Sequence, residues 1–191
     1  MTTRNVACMG ARMFTAVLPP ADVVSELDAL LEPRRDADPG LRWSRPEGWH
    51  VTTSFMSDVP SRAVDALVEY LREVAAKAAP FPIRLEGGVA FPDAAQAKVL
   101  GLGISDGNGE LAHLSAGARS AASRAGAAAD GARFVGHLTL ARSRKGVQAT
   151  RWIGVLDSFS GWSWQAAELC LVESLRMGRH YEVIERFSLG S

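Results

Sequence analysis

Hydrophobic positions along the chain switch between the two-residue period of a strand and the 3.6-residue period of a helix. Residues 13–18 form an apolar run that stops at Pro19-Pro20, which predicts a buried strand. The next apolar positions recur at helical spacing and predict a helix: Val23, Val24, Leu27, Leu30 and Leu31. The first predicted unit is therefore a strand followed by a helix.

The same kind of unit recurs through the rest of the chain. A strand carrying His50 precedes a helix whose apolar positions run to residue 75 and for which Ser61 is the predicted cap. A strand carrying His137 follows an Ala-rich helix over about residues 110–128. Further strands are predicted over residues 81–85, ended by Gly87-Gly88, and over residues 98–102, 168–174 and 181–187, the last two joined by a turn at 177–179. This order predicts a mixed α+β fold.

Composition is that of an ordinary globular protein. Of the 191 residues, 47% are hydrophobic and 22% are charged, which suits one core and excludes a disordered chain. No stretch rich in Ser, Pro or Gly is long enough to separate independent domains. We therefore predict a single domain over residues 1–191, with residues 1–10 as a loose extension before the first strand.

Charge and cysteine content narrow the class of function. The 21 basic side chains balance 21 acidic ones, so no global positive field exists to hold a long nucleic acid. The two cysteines, Cys8 and Cys170, lie in no metal-ligand spacing. No apolar run has the length of a signal peptide or of a membrane span. These features predict a cytoplasmic protein without membrane contact and with no obligate protein partner evident.

One short motif occurs twice, as His50-Val51-Thr52 and as His137-Leu138-Thr139. Residues two apart on a strand point to the same face, so each motif presents an imidazole and a hydroxyl together. The surrounding strands and helices also repeat, at a period of about ninety residues. We therefore predict a duplicated fold that brings both motifs to one cleft.

The second motif lies in a basic segment of the sequence. Residues 131–156 contain five Lys or Arg residues and no Asp or Glu. Because these side chains surround His137 in the sequence, they favour an anionic ligand such as a phosphate.

A metal site is the main alternative for a pair of histidines, with His113, His180 and the two cysteines as further ligands. No H-E-x-x-H motif or paired-cysteine spacing is present, so the sequence favours a site without metal or cofactor. Trp49, next to the first motif, is interpreted with the other tryptophans as core material rather than as a base-stacking platform.

The segments around both motifs resemble the two-histidine (2H) phosphoesterases, and within them the bacterial RNA 2',3'-cyclic phosphodiesterases, also called 2'-5' RNA ligases. The similarity covers nearly the whole chain. It rests on residues 12–20, 42–43, 49–55, 98–103, 134–142 and 181–184. Two positions depart from the pattern: Gly136 stands where proline is usual, and Thr53 where an aliphatic residue is usual.

The resemblance implies a duplicated two-lobe fold of two pseudo-symmetric lobes, in which antiparallel sheets line a central cleft and helices lie outside. It also implies that His50 is the general acid and His137 the general base. Thr52, Thr139 and Arg142 would bind the phosphate, the last through its guanidinium fork. Strict alternation would place Arg142 on the face opposite to His137, unless the strand bulges between them.

Two imidazoles suit the opening of a cyclic phosphodiester, because one can deprotonate water while the other protonates the leaving ribose oxygen. The resemblance implies metal-independent hydrolysis of 2',3'-cyclic phosphates at RNA 3' ends to 2'-phosphomonoesters. The same site would join 2'-5' ends if a 5'-hydroxyl replaced water. Two alternatives stay open: a small cyclic-phosphate nucleotide or ADP-ribose cyclic phosphate as the substrate, and a non-catalytic module that binds RNA ends.

Overall fold

The structure, a computed structural model, describes residues 10–131, 133–175 and 180–191. The predicted loose extension, apart from Gly10, and the predicted turn at residues 177–179 lie outside the described residues. Cys8 lies outside them as well. Within the described ranges, no helix is both long and apolar enough to cross a membrane.

Strands and helices alternate in the order that the sequence predicts, with additions. The strands are β1 (Ala11–Val17), β2 (Arg42–Trp43), β3 (Val51–Val59), β4 (Phe81–Phe91), β5 (Ala97–Asp106), β6 (His137–Val147), β7 (Trp162–Ala166), β8 (Glu168–Leu175) and β9 (His180–Ser188). The α-helices are α1 (Ala21–Leu31), α2 (Val64–Ala76), α3 (Asn108–Ala125) and α4 (Thr150–Asp157). Short 3₁₀ helices lie at Glu32–Ala37, Pro46–Gly48 and Ser61–Ala63.

The described strands form one antiparallel sheet in the order β7-β4-β5-β6-β3-β1-β8-β9, and β2 pairs with β6 beside this path. The two motif strands, β3 and β6, are neighbours at its centre, where Val51 pairs with Leu138. Strand β4 lies on the β6 side, whereas β8 and β9 return to the β1 side. The two halves of the sheet are therefore not the two halves of the chain, and the division into pseudo-symmetric lobes stays a prediction.

The main core lies between one face of the sheet and the helices. Helix α2, for example, buries Leu67, Leu71 and Ala75 against it, at the helical spacing that the sequence shows. A second, smaller cluster is built by strands β1 and β8: Phe14, Ala16, Cys170 and Val172. The predicted α+β class with an antiparallel sheet is confirmed.

Two local predictions are wrong. Strand β4 runs through Gly87-Gly88 instead of ending there, because its register with β5 shifts at this point and Gly87 takes a positive φ of 79°. Ser61 begins a 3₁₀ turn, and α2 starts at Val64 without a side-chain cap. Helix α4 and strand β7 are further elements that the hydrophobic pattern did not predict.

A buried pair of hydroxyls ties the first motif strand to its neighbour. Thr15 and Thr53 are 0% and 2% exposed, and their Oγ1 atoms lie 2.7 Å apart. We expect Thr53→Val to lower the free energy of unfolding by about 1–3 kcal/mol, because it leaves the Thr15 hydroxyl buried without a partner. The double variant should lose less stability than Thr53→Val alone, which urea denaturation of the wild type, Thr15→Val, Thr53→Val and the double variant would measure. A double variant as unstable as the sum of the two single variants would contradict this account.

Candidate active site

The two motifs meet where β3 and β6 pair. Val51 and Leu138 are both 0% exposed and belong to the main core, so the residues on either side of them point to the opposite face of the sheet. The antiparallel direction sets the histidine of each motif towards the threonine of the other. The structure thus gathers all four motif side chains at one place: His50, Thr52, His137 and Thr139.

Each motif strand bulges three residues after its histidine. The register of β1 with β3 skips Thr53, and the register of β5 with β6 skips Leu140. Both bulges interrupt the alternation of buried and accessible side chains, since two consecutive buried residues follow the threonine in each motif. The face of the sheet that carries His50, Thr52, His137 and Thr139 is the motif face. The residues five beyond the histidines, Phe55 and Arg142, therefore also lie on the motif face. Arg142 shares a face with His137 because the strand bulges between them.

Backbone carbonyls fix both imidazoles in the same way. Nδ1 of His50 donates to the carbonyl oxygen of Gly48 at 2.6 Å, and Nδ1 of His137 donates to that of Val135 at 2.8 Å. In each case the acceptor lies two residues before the histidine. Because Nδ1 carries the proton of this hydrogen bond, Nε2 is the nitrogen left for proton transfer.

Aromatic rings surround the two imidazoles unequally. Phe14 stacks on His50 with ring centroids 4.5 Å apart, and the edge of Tyr181 packs on the same imidazole at 5.3 Å. His137 has the ring of Phe91 beside it, at 4.8 Å. His50 is therefore the more enclosed of the two histidines.

This environment holds both imidazoles in their neutral form. Burial lowers the pKa of His50 to about 4, the hydrogen bond to Gly48 opposes that shift, and the positive charge of Arg142 adds to it, as does that of His137 when His137 is protonated. Burial also lowers the pKa of His137, again opposed by its backbone hydrogen bond and assisted by Arg142. Near neutral pH in the free protein, both histidines are uncharged. The Arg142 guanidinium is close enough to act on both.

The small residues beside the second motif allow close backbone contact. A Cβ atom at Gly101 would lie 2.3 Å from the carbonyl oxygen of Leu138, and one at Gly136 would lie 2.5 Å from Oδ1 of Asn108. The glycine that replaces the usual proline before His137 thus leaves room for the Asn108 side chain. Thr53, the other departure, is the bulged residue whose hydroxyl pairs with Thr15.

The remaining histidines and Trp49 lie outside this cluster. His113 is on α3, where Nδ1 donates to the carbonyl oxygen of Gly109, and His180 is exposed at the start of β9. Across the described ranges, no three His, Cys, Asp or Glu side chains are grouped so that they could hold a metal ion. Trp49 is 3% exposed and packs in the main core, which confirms its interpretation as core material.

Sequence reasoning did not single out the rings that pack on the imidazoles: Phe14, Phe91 and Tyr181. These residues come from three different strands, and periodicity along one strand carries no information about its neighbours. The segments containing Phe14 and Tyr181 were among those that resemble the 2H phosphoesterases, which was the one signal available.

A family model described as LigT like phosphoesterase matches residues 17–100, a range that includes the first motif. The RNA 2',3'-cyclic phosphodiesterase of Aquifex aeolicus (strain VF5) is 27% identical over 154 residues, which cover 78% of this chain and 82% of that protein. The protein of the same name from Geobacillus stearothermophilus is 31% identical over 108 residues, 56% of this chain and 34% of its own length.

Similarity in three dimensions extends over both motifs. The crystal structure of Escherichia coli LigT in apo form matches 96% of this chain and 99% of its own, with a TM-score of 0.76 and 22% identity. At that identity the match shows the fold. The family model over residues 17–100 and the two sequence relatives add a similarity in sequence to the LigT-like phosphoesterases.

Proposed function

We propose that this protein hydrolyses 2',3'-cyclic phosphates at RNA 3' ends to 2'-phosphomonoesters. The observation that carries the proposal is the meeting of two His-x-Thr motifs on one face, each imidazole with Nδ1 tied to a backbone carbonyl. The names of the Aquifex and Geobacillus relatives support the same substrate. We propose a cytoplasmic location with it.

In the proposed mechanism, His137 is the general base and His50 the general acid. Nε2 of His137 takes a proton from water, and the water oxygen attacks the phosphorus atom. The bond from phosphorus to O3' breaks, and Nε2 of His50 gives its proton to that oxygen. The product keeps its phosphate on O2'. The attack of a 5'-hydroxyl in place of water would form a 2'-5' linkage by the same proton transfers.

The remaining polar groups of the motif face are assigned to the phosphate. The hydroxyls of Thr52 and Thr139 donate to its non-bridging oxygens, where negative charge grows in the transition state. Arg142 lies on the same face beyond the bulge of β6, and its positive charge helps to lower the pKa of both histidines. A guanidinium in that place stabilises the same charge through two parallel hydrogen bonds.

The low pKa values give a testable dependence on pH. The reaction needs one protonated and one neutral imidazole, and this form exists between the two pKa values of the pair. Because burial moves both below the ordinary value of 6.5, we expect kcat/KM to peak on the acid side of about pH 6.5 and to fall as the pH rises towards 8. Initial rates between about pH 4 and pH 8 would measure it.

A variant links this profile to the packing of Tyr181. Removing the ring in Tyr181→Ala admits water to His50 and should raise its pKa, so the acid limb of the profile moves to higher pH. A wild-type optimum at or above pH 7 would contradict the effect that burial has on both histidines.

Two alternative functions are separated by one assay. Wild-type protein is given an oligonucleotide that ends in a 2',3'-cyclic phosphate, a mononucleotide with the same end, and ADP-ribose cyclic phosphate, each with EDTA present. The proposal expects turnover of the oligonucleotide that EDTA does not reduce. Turnover of the small molecules alone would favour the small-nucleotide reading, and binding of RNA ends without turnover would favour the binding module. Loss of activity in EDTA would indicate a metal-dependent reaction.

A further inference from the structure

Two arginines lie directly opposite each other beside the motif face. Strand β2 pairs with β6 so that Arg42 faces Arg142, and Trp43 faces Ala141. Paired residues on adjacent strands point to the same side of a sheet. Since Arg142 is on the motif face beyond the bulge, Arg42 is on that face too, and both side chains are exposed.

Among the residues that the structure describes, neither arginine forms an ion pair with a carboxylate. The ion pairs formed among the described residues use other arginines: Arg35, Arg72, Arg84, Arg119, Arg124 and Arg186. Like charges directly opposite on two strands destabilise the pairing. An anion bound to Arg42 would relieve this repulsion and accept hydrogen bonds from its guanidinium group.

The position of this pair along β6 relates it to the motifs. Thr139 pairs with Gly101 of β5, and Arg142 pairs with Val99. These partners are only two residues apart, because the register skips Leu140. At the rise of a strand, that is roughly 7 Å, about the length of one nucleotide. The pairing continues on the other side as well, where the amide of Ser44 donates to the carbonyl oxygen of Leu140 at 2.8 Å. Arg42 is thus held at a fixed place, one strand away from Arg142.

We propose that Arg42, next to Arg142, binds the phosphate on the 5' side of the terminal ribose, so that the site selects nucleotides that carry a 5' phosphate or phosphodiester. This rests on the proposed function, since the terminal cyclic phosphate is taken to occupy the two motifs. The cationic surface then makes an RNA end a better substrate than a bare nucleoside 2',3'-cyclic phosphate. Arg42 is a specificity-determining residue in this proposal, and the chemical step stays with the two motifs.

Three substrates separate the contributions: adenosine 2',3'-cyclic phosphate, its 5'-phosphorylated form, and the dinucleotide ApA ending in a 2',3'-cyclic phosphate. The quantity measured is the ratio of kcat/KM for each phosphate-bearing substrate to kcat/KM for the bare nucleoside. We expect Arg42→Ala to lower both ratios by about 10-fold, since a hydrogen-bonded ion pair is lost. Arg42→Lys keeps the charge and should recover part of the loss.

Salt provides a second readout. For a single strand, the logarithm of the binding constant falls with the logarithm of salt concentration by about 0.7 per phosphate contacted. The salt dependence of KM for the dinucleotide should therefore become shallower by about that amount in Arg42→Ala. Arg62→Ala is the matched control, because Arg62 is an exposed arginine on the 3₁₀ turn after β3, at the far end of that strand from His50. It should change neither the ratios nor the salt slope.

Each other outcome overturns the inference. Unchanged ratios in Arg42→Ala would mean that Arg42 binds no second phosphate. A fall for the dinucleotide alone would mean that Arg42 contacts the second nucleoside and not the phosphate. If the wild-type protein hydrolyses none of the three substrates, the proposed function fails and the inference falls with it. The failures are distinguishable because the ratios exist only in an active enzyme.

Discussion

Replacing either motif histidine by alanine is expected to lower kcat/KM for a 2',3'-cyclic phosphate by about 10²- to 10⁴-fold. His50→Ala removes the proposed proton donor, and His137→Ala removes the proposed base. In the proposed mechanism the two imidazoles act on one transition state, so the double variant should lose less than the product of the two single losses. Initial rates at saturating and subsaturating substrate would give kcat and KM for all four proteins.

The loss should be one of chemistry and not of folding. Both imidazoles point away from the main core, and thermal denaturation is the direct check that each variant remains folded. His113→Ala is the matched control, because this histidine also has Nδ1 bonded to a carbonyl but lies on α3, outside the motif face. Full activity in both His50→Ala and His137→Ala would overturn the mechanism.

The central strand pair is the part of the site that a sequence can predict. His-x-Thr places two side chains on one face whenever the segment is extended, so each half of the site follows from local geometry alone. The repeat of the motif then predicts a meeting of the halves, and the pairing of Val51 with Leu138 confirms it.

The position of Arg142 depends on a β-bulge, which the alternation of side chains along one strand does not predict. Within β6, the residue after Leu140 is buried where alternation would expose it, because β5 skips one residue of its partner. A bulge is decided by the two strands together. The same holds for β4, which continues through Gly87-Gly88 by shifting its register with β5.

The environment of the imidazoles is even harder to predict from the sequence than the bulges are. Phe14 and Tyr181 reach His50 from β1 and β9, and the order in which those strands join the sheet is a property of the whole chain. The low pKa of His50 follows from that packing. Likewise, Arg42 belongs to a strand of two residues, too short to give a periodic signal.

An analogue with sulfur in place of the 3' bridging oxygen should restore activity to one histidine variant and not to the other. A thiolate is a much weaker base than an alkoxide, so it leaves phosphorus without being protonated. If His50 is the general acid, His50→Ala should lose no more than about 10-fold on this analogue, against about 10²- to 10⁴-fold on the oxygen substrate. His137→Ala should lose about 10²- to 10⁴-fold on both, because water still has to be deprotonated.

The matched control for this experiment is the analogue with sulfur at the 2' position. Its 3' bond still ends in oxygen, so it should not restore His50→Ala if the phosphate stays on the 2' side.

The test also decides between the two directions of proton transfer, which the pH profile leaves equivalent because its pKa values belong to the pair. Restoration of His137→Ala by the 3'-sulfur analogue would make His137 the general acid and His50 the general base. That outcome would agree with the low pKa of His50, because the more enclosed imidazole is the more readily neutral one. Restoration of His50→Ala would instead mean that His50 acquires its proton when the anionic substrate binds between the two motifs.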